Sequence, residues 1–186
     1  MFQWLKKIFG DSSAGSSSSS FARVEHIQAN FGDPTIMNLV MYMQAQCKDP
    51  AALQPLELIL SSMEKYQAGD NAGALQILDQ VASMPGIYSH LTRKAVLTRG
   101  VMKVGGKDLQ CGISELTSFL DEGFGLPQDN DWAMLWRGRA RLQAGELEGA
   151  TEDFTKVASS NNLNPVIPCH EAIRKQAERE LQKVKK

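Results

Sequence analysis

Residues 142–158 read LQAGELEGATEDFTKVA, and two earlier stretches of the chain follow the same pattern. They are YQAGDNAGALQILDQVA, which begins at Tyr66, and VGGKDLQCGISELTSFL, which begins at Val104. Each stretch starts 38 positions after the previous one, since 104 − 66 and 142 − 104 are both 38. A fixed period of this length predicts a protein built from repeated structural units.

Five columns of this repeat keep their character without an inserted gap. Two columns are small, and three are large and mostly apolar. The small columns hold Ser62, Gly100 and Gly138, then Ala74, Gly112 and Ala150; the apolar columns hold Ile59, Leu97 and Leu135, then Leu78, Leu116 and Phe154, then Val81, Phe119 and Val157. Small residues at set positions favour the close approach of two helices.

Each unit has the pattern of two helices joined by a short turn. In the third unit, residues 132–144 carry apolar side chains at helical spacing. Gly145 follows, as a left-handed residue that ends a helix would. The apolar pattern then resumes over residues 147–158. The chain is therefore predicted to be all-α, with helices in consecutive hairpins.

The repeat resembles the tetratricopeptide repeat, a helical-hairpin family with a period of about 34 residues. The third unit carries the family's small, turn and aromatic positions, and the resemblance spans about residues 55–165. Those positions are Gly138, Gly145, Ala150 and Phe154 in the third unit, Gly69, Ala74 and Leu78 in the first, and Gly100, Gly112 and Leu116 in the second. The resemblance implies a helical-hairpin solenoid that binds other proteins.

Two family positions differ here. Leu58, Val96 and Met134 stand where the family has its first Trp. Lys65, Lys103 and Arg141 stand where it has a core Tyr, and their aliphatic stems are expected to cover the same apolar surface.

Segments of different composition flank the three repeats. Residues 1–10 form a short apolar head, and residues 11–20 form a Ser-rich flexible linker. Residues 21–54 are expected to form a degenerate helical repeat, in which Asp33 and Pro34 begin a helix. Residues 166–186 are expected to form a capping helix whose apolar stripe is Ile173, Ala177, Leu181 and Val184.

The resemblance also implies a partner-binding groove lined by the first helix of each unit. Its columns include Ile59 and Met63, and its candidate binding residues are Lys94, Thr98, Val101, Trp132, Trp136, Arg139 and Gln143. Trp and Arg are common interface anchors, and Trp132, Trp136 and Arg139 share one helix face. In the alternative interpretation one or both tryptophans are core residues, Trp136 sooner than Trp132, and Lys94 is a solvated surface lysine.

The head MFQWLKKIFG is a second candidate site. As a helix it would place Phe2, Trp4, Leu5, Ile8 and Phe9 on one side, opposite Lys6 and Lys7. Such a segment suits a membrane surface, a partner groove or the protein's own groove, and its alternative is a disordered start without a role.

Composition argues against several other functions. The net charge is −1, without the basic excess typical of nucleic-acid binders. The three histidines and three cysteines are scattered, so neither a catalytic centre, a metal site nor a cofactor is expected. No apolar run reaches the length of a membrane span. The sequence thus predicts a cytoplasmic scaffold or adaptor without enzymatic activity, and the alternative is a membrane-associated assembly factor held by residues 1–10.

Overall fold

The computed structural model describes residues 33, 35, 36, 39, 40, 53–84, 89–123, 127–160 and 169–184 of the chain. Among these residues there is no strand, and the predicted all-α class is confirmed. The seven helices with defined bounds are α1 (Gln54–Gln67), α2 (Asn71–Ala82), α3 (Ser89–Gly105), α4 (Leu109–Asp121), α5 (Pro127–Gln143), α6 (Leu147–Ala158) and α7 (Cys169–Val184). Ile36, Leu39 and Val40 are also helical. The predicted head (1–10) and linker (11–20) lie outside the described residues, as does most of the segment 21–54.

The three hairpins α1–α2, α3–α4 and α5–α6 share one turn geometry. Gly69, Lys107 and Gly145 have positive φ angles of 86°, 69° and 83°. These residues are 38 apart (107 − 69 and 145 − 107). In each turn the next residue donates its backbone N–H to a carbonyl five positions earlier, at 2.9, 2.9 and 2.8 Å. This bond closes the first helix, and the second helix begins immediately afterwards.

Small residues bring the two helices of a hairpin together. A Cβ added at Gly100 of α3 would lie 2.9 Å from the Cδ2 atom of Leu116 on α4. In the same hairpin, a Cβ at Gly112 would lie 2.5 Å from the Cγ2 atom of Val104. A larger residue at either position would push the helices apart, so the small columns of the sequence are contact points between the two helices.

Successive helices pack against one another, and alternate helices also meet. Contacts join α1 to α3, α3 to α5 and α5 to α7, so these four helices form one layer. Helix α7 buries Ile173 and Ala177 in the same apolar cluster as Leu135 of α5. Ile173 lies 38 positions after Leu135 (173 − 135), so α7 continues the apolar column of the repeats.

A buried ion cluster ties the third hairpin together. Asp153 of α6 is 0% exposed. Its two carboxylate oxygens accept hydrogen bonds from Nε and Nη2 of Arg137 at 3.0 and 2.7 Å. Nη1 of Arg141 donates to the same carboxylate at 2.9 Å. The stem of Arg141 also lies beside Gly149, where an added Cβ would meet its Cδ atom at 3.2 Å. Arg141 thus both covers part of α6 and pairs with Asp153.

The second hairpin repeats this cluster. Nε of Arg99 donates to Glu115 at 3.0 Å, and Lys103 forms an ion pair with the other oxygen of Glu115. Each of these residues lies 38 positions before its equivalent (137 − 99, 141 − 103 and 153 − 115). Because these charged residues recur 38 positions apart, the repeat period of the sequence indicates the cluster. The columns of apolar and small residues do not indicate it.

Candidate functional site

The candidate groove residues lie on two helices of the same layer. Lys94, Thr98 and Val101 are on α3, and Trp132, Trp136, Arg139 and Gln143 are on α5. Spacings of four and seven place the first three members of each helix on one face. The two sets are equivalent, since 132 − 94, 136 − 98 and 139 − 101 are all 38. The fold therefore brings these side chains to matching positions on adjacent helices.

Lys94 is buried, so the interpretation of it as a solvated surface lysine is wrong. It is 2% exposed. Its Nζ atom lies 2.7 Å from Oδ2 of Asp33 and 3.5 Å from Oδ1 of Asp129. It also donates to the hydroxyl of Thr35. The Oδ1 atom of Asp33 in turn accepts from the backbone N–H and the hydroxyl of Thr35 at 2.9 and 2.7 Å. We call these four residues the Lys94 cluster.

Two carboxylates share one ammonium in the Lys94 cluster. Burial by itself lowers the pKa of Lys94, but attraction to Asp33 and Asp129 outweighs this effect, and the pKa is raised above its ordinary value. The pKa of Asp129 is also raised, chiefly because burial disfavours its charge; attraction to Lys94 lowers the pKa, and repulsion from Asp33 raises it further. Asp33 has the shorter contact with Lys94, so Asp129 is the carboxylate whose charge is less well compensated.

The other two α3 residues are buried as well. Thr98 is 1% exposed and Val101 is 3% exposed. The hydroxyl of Thr98 has no hydrogen-bond partner in the described part of the chain. On α1, Met63 in the column of Val101 and Ile59 in the column of Leu97 are both 0% exposed. On α1 and α3, the side of the layer expected to bind a partner is therefore covered.

Trp132 is more deeply buried than Trp136, which is the reverse of the order expected from the sequence. Trp132 is 2% exposed and belongs to the apolar core, whereas Trp136 is half-buried at its edge. Their ring centroids are 5.8 Å apart, with an edge-to-face angle of 81°. Neither indole Nε1 has a hydrogen-bond partner among the described residues. The alternative interpretation favoured Trp136 over Trp132 as a core residue, and this order is wrong, because Trp132 packs inside the layer and Trp136 at its margin.

Arg139 and Gln143 lie towards the end of α5. The Arg139 guanidinium stacks over the ring of Trp136 at 5.2 Å and donates to Glu180 of α7 at 3.1 Å. A second nitrogen donates to Oε1 of Gln176 at 3.1 Å. Gln143 is exposed. Arg139 therefore anchors α7 as well as facing the groove side, and its role in partner binding remains a prediction.

Sequence reasoning missed the residues that pair with the predicted ones. Asp33 was interpreted as the start of a helix, and nothing in the repeat period indicates that it meets Lys94. Asp129 lies in the first turn of α5, before the aligned columns of the third unit, and Glu180 is one of several charged residues of α7. Each pairing joins segments distant in sequence, so only the packing of the helices shows it. The predicted anchor residues Phe2, Trp4, Leu5, Ile8 and Phe9 lie outside the described residues.

Two searches of the described residues were negative. In the described part of the chain, no group of three or more His, Cys, Asp or Glu side chains is placed to hold a metal ion. None of the described helices has both the length and the apolar composition required to cross a bilayer.

Comparison of the chain with known proteins finds no relative. No family model, no curated protein and no solved structure matches it. The function of the chain is therefore inferred from its own sequence and structure.

Proposed function

We propose that the chain is a protein-interaction scaffold or adaptor, built as a tetratricopeptide-like solenoid that binds a peptide or helix along its concave side. The observation that supports this proposal is the identical turn geometry at Gly69, Lys107 and Gly145. Matching turns at a constant spacing give each hairpin the same internal geometry, and repeated hairpins that stack side by side form a continuous concave surface.

The surface in question has nine residues, in three columns on three helices, and we call it the concave groove. It consists of Leu56, Leu60 and Met63 on α1, Lys94, Thr98 and Val101 on α3, and Trp132, Trp136 and Arg139 on α5. Apolar, aromatic and Arg side chains dominate it, as in surfaces that recognise polypeptides. Exposed Gln143 lies one turn beyond Arg139, at the end of this surface.

The test is capture of partners by the full-length chain, identification by mass spectrometry and a binding titration with each purified partner. We expect Trp136→Ala and Gln143→Ala to weaken binding about tenfold when combined, which corresponds to about 1.4 kcal/mol. Lys156→Ala is the matched control, since Lys156 is exposed on α6 and pairs with Glu152, which is also exposed. Equal losses in both variants, or none, would contradict binding in the groove.

A second function, attachment to a membrane surface, is supported by residues 1–10. Six large apolar side chains and two lysines in ten residues suit the bilayer interface. Flotation with vesicles containing anionic lipid should carry the full-length chain and leave a chain starting at Phe21 behind. Equal flotation of both chains would rule out this role for residues 1–10.

A further inference from the structure

Much of the concave groove is already covered within the chain itself. Its six members on α1 and α3 are at most 3% exposed. The six are Leu56, Leu60, Met63, Lys94, Thr98 and Val101. A groove that waits for a partner would leave such side chains open to water, so other parts of the chain cover them; Val101 is buried in the apolar cluster that also holds Trp132.

Contacts from the N-terminal part of the chain identify the covering segment. Asp33 and Thr35 bind Nζ of Lys94, a groove residue of α3. Ile36, Leu39 and Val40 follow them in a helix and are between 0 and 4% exposed. These three side chains belong to the same apolar cluster as the groove residues Leu56, Leu60 and Met63. We call Asp33, Thr35, Ile36, Leu39 and Val40 the groove segment.

We propose that the groove segment is an intramolecular ligand of the concave groove, and that the external partner is an amphipathic helix of the same chemistry. This inference depends on the proposed peptide-binding function. The partner would begin with an acidic residue and carry apolar residues three, six and seven positions later, as Ile36, Leu39 and Val40 follow Asp33 (36 − 33, 39 − 33 and 40 − 33).

The position of Lys94 explains the acidic requirement. The same column holds Leu56 on α1 and Trp132 on α5, so the middle of the groove carries a charge between two apolar neighbours. A buried charge without a counter-charge is strongly unfavourable, whereas a buried ion pair adds little stability but fixes one register. A ligand without a carboxylate at this point would leave Lys94 paired with Asp129 alone, at 3.5 Å. The charge therefore selects among helices that are equally apolar.

The apolar residues explain why a polar peptide would not suffice. Burial of Ile36, Leu39 and Val40 removes three branched side chains from water together with the groove residues beneath them. A competitor that displaces the groove segment must bury a comparable apolar area on the same residues. An amphipathic helix with apolar residues at this spacing meets that condition in a single element.

The experiment uses the full-length chain and a fluorescein-labelled peptide that spans residues 30–46, with binding measured by fluorescence anisotropy. Ile36→Ala and Val40→Ala are introduced together into the chain, so that its own segment competes less well. We expect this variant to bind the peptide at least about tenfold more tightly than the wild-type chain does. Val157→Ala, which removes apolar volume from the other core, is the matched control and should bind no better than wild type.

Charge exchange tests the role of Lys94 directly. We call the chain with Ile36→Ala and Val40→Ala the opened chain. A peptide with Asp33→Lys should bind it at least about tenfold more weakly than the wild-type peptide does, because the new lysine would meet Lys94 in a buried place. Introducing Lys94→Glu into the opened chain should reverse this preference between the two peptides. Equal binding of both peptides, or no uptake by an opened chain whose α3–α6 stay folded, would overturn the proposal.

Hydrogen exchange of the wild-type chain provides a second measurement that needs no variant. We expect the amides of Ile36, Leu39 and Val40 to exchange through an opening that leaves α3 protected. If they exchange only when the whole chain unfolds, the segment is an integral part of the core and the proposal fails. A chain that takes up its own peptide with this charge preference, but captures no other protein, would contradict the adaptor function and leave the intramolecular contact established.

Discussion

Phe154 of α6 packs directly against the backbone of Gly138 on α5, where an added Cβ would lie 2.6 Å from the Cε1 atom of the ring. Gly100 and Leu116 make the equivalent contact one unit earlier. Real Cβ atoms do not approach other atoms this closely, so the hairpin geometry depends on the absence of a side chain at these glycines.

Gly138→Ala should therefore destabilise the chain, although alanine is the better helix former. We expect a loss of about 1–3 kcal/mol, since the α5–α6 contact is too tight for one more methyl group. Chemical denaturation followed by circular dichroism measures it. Gly149→Ala is the control, because its nearest neighbour is the flexible side chain of Arg141. A loss as large in Gly149→Ala would show that helix packing is not the cause.

Lys107→Gly should stabilise the chain. Lys107 has a φ of 69°, in the left-handed region where the equivalent turn residues of the other hairpins are glycines. A side chain in this region costs about 1–2 kcal/mol, partly offset by the greater freedom of glycine in the unfolded chain. We expect a gain of about 0.5–1 kcal/mol in the free energy of unfolding. Gly145→Ala should lose a similar amount, and a loss in Lys107→Gly would contradict the turn geometry.

The two tryptophans should differ in their effect on stability. Trp132→Ala should cost about 3–5 kcal/mol, because the ring is 2% exposed and its removal leaves a cavity in the core. Trp136→Ala should cost less, since its ring lies at the edge of the cluster. Thermal melts of both variants test this order. Equal costs would place Trp136 in the core as firmly as Trp132.

Asp153→Ala should strongly destabilise the chain. The change leaves the guanidinium groups of Arg137 and Arg141 without the buried carboxylate that they share. The loss of one member from a buried ion cluster costs about 3–5 kcal/mol. Glu115→Ala should cost less, since the Glu115 side chain is 17% exposed and that of Asp153 is 0% exposed. Urea denaturation of both variants checks this order, and the reverse order would contradict the packing of the third hairpin.

Asp129→Asn should stabilise the chain at neutral pH. Burial and the nearby Asp33 raise the pKa of Asp129, so the folded protein binds that proton more tightly than the unfolded chain does. Ionisation of Asp129 therefore opposes folding above its folded pKa, and asparagine removes this penalty. The gain should shrink as the pH falls towards the ordinary pKa of an aspartate, about 3.9, because both states are protonated below that pH.

Melting temperatures at pH 7 and pH 4 measure this gain. Asp121→Asn, at an exposed position at the end of α4, should show little change at either pH. A larger gain for Asp129→Asn at pH 4 than at pH 7 would contradict the direction of the pKa shift.

The all-α character of the chain and the three turns follow from the sequence by itself. Helix formation depends on apolar residues three and four positions apart, and helix ends depend on residues such as Gly69 and Gly145 that accept a left-handed backbone. Both signals are local, and their period of 38 appears unchanged in the backbone angles of the turns. The small columns at Gly100 and Gly138 are equally readable, because close helix contacts require small residues.

Only the tertiary structure decided which of the candidate groove residues are exposed and which are buried. Lys94 occupies the same column as Leu56 and Trp132, and no local pattern shows that it is buried. Its burial requires Asp33, which lies 61 positions earlier (94 − 33), and Asp129, which lies on the following helix of the layer. A charged side chain is buried only where folding places an opposite charge beside it. Whether the two charges come together depends on how the helices of the layer pack.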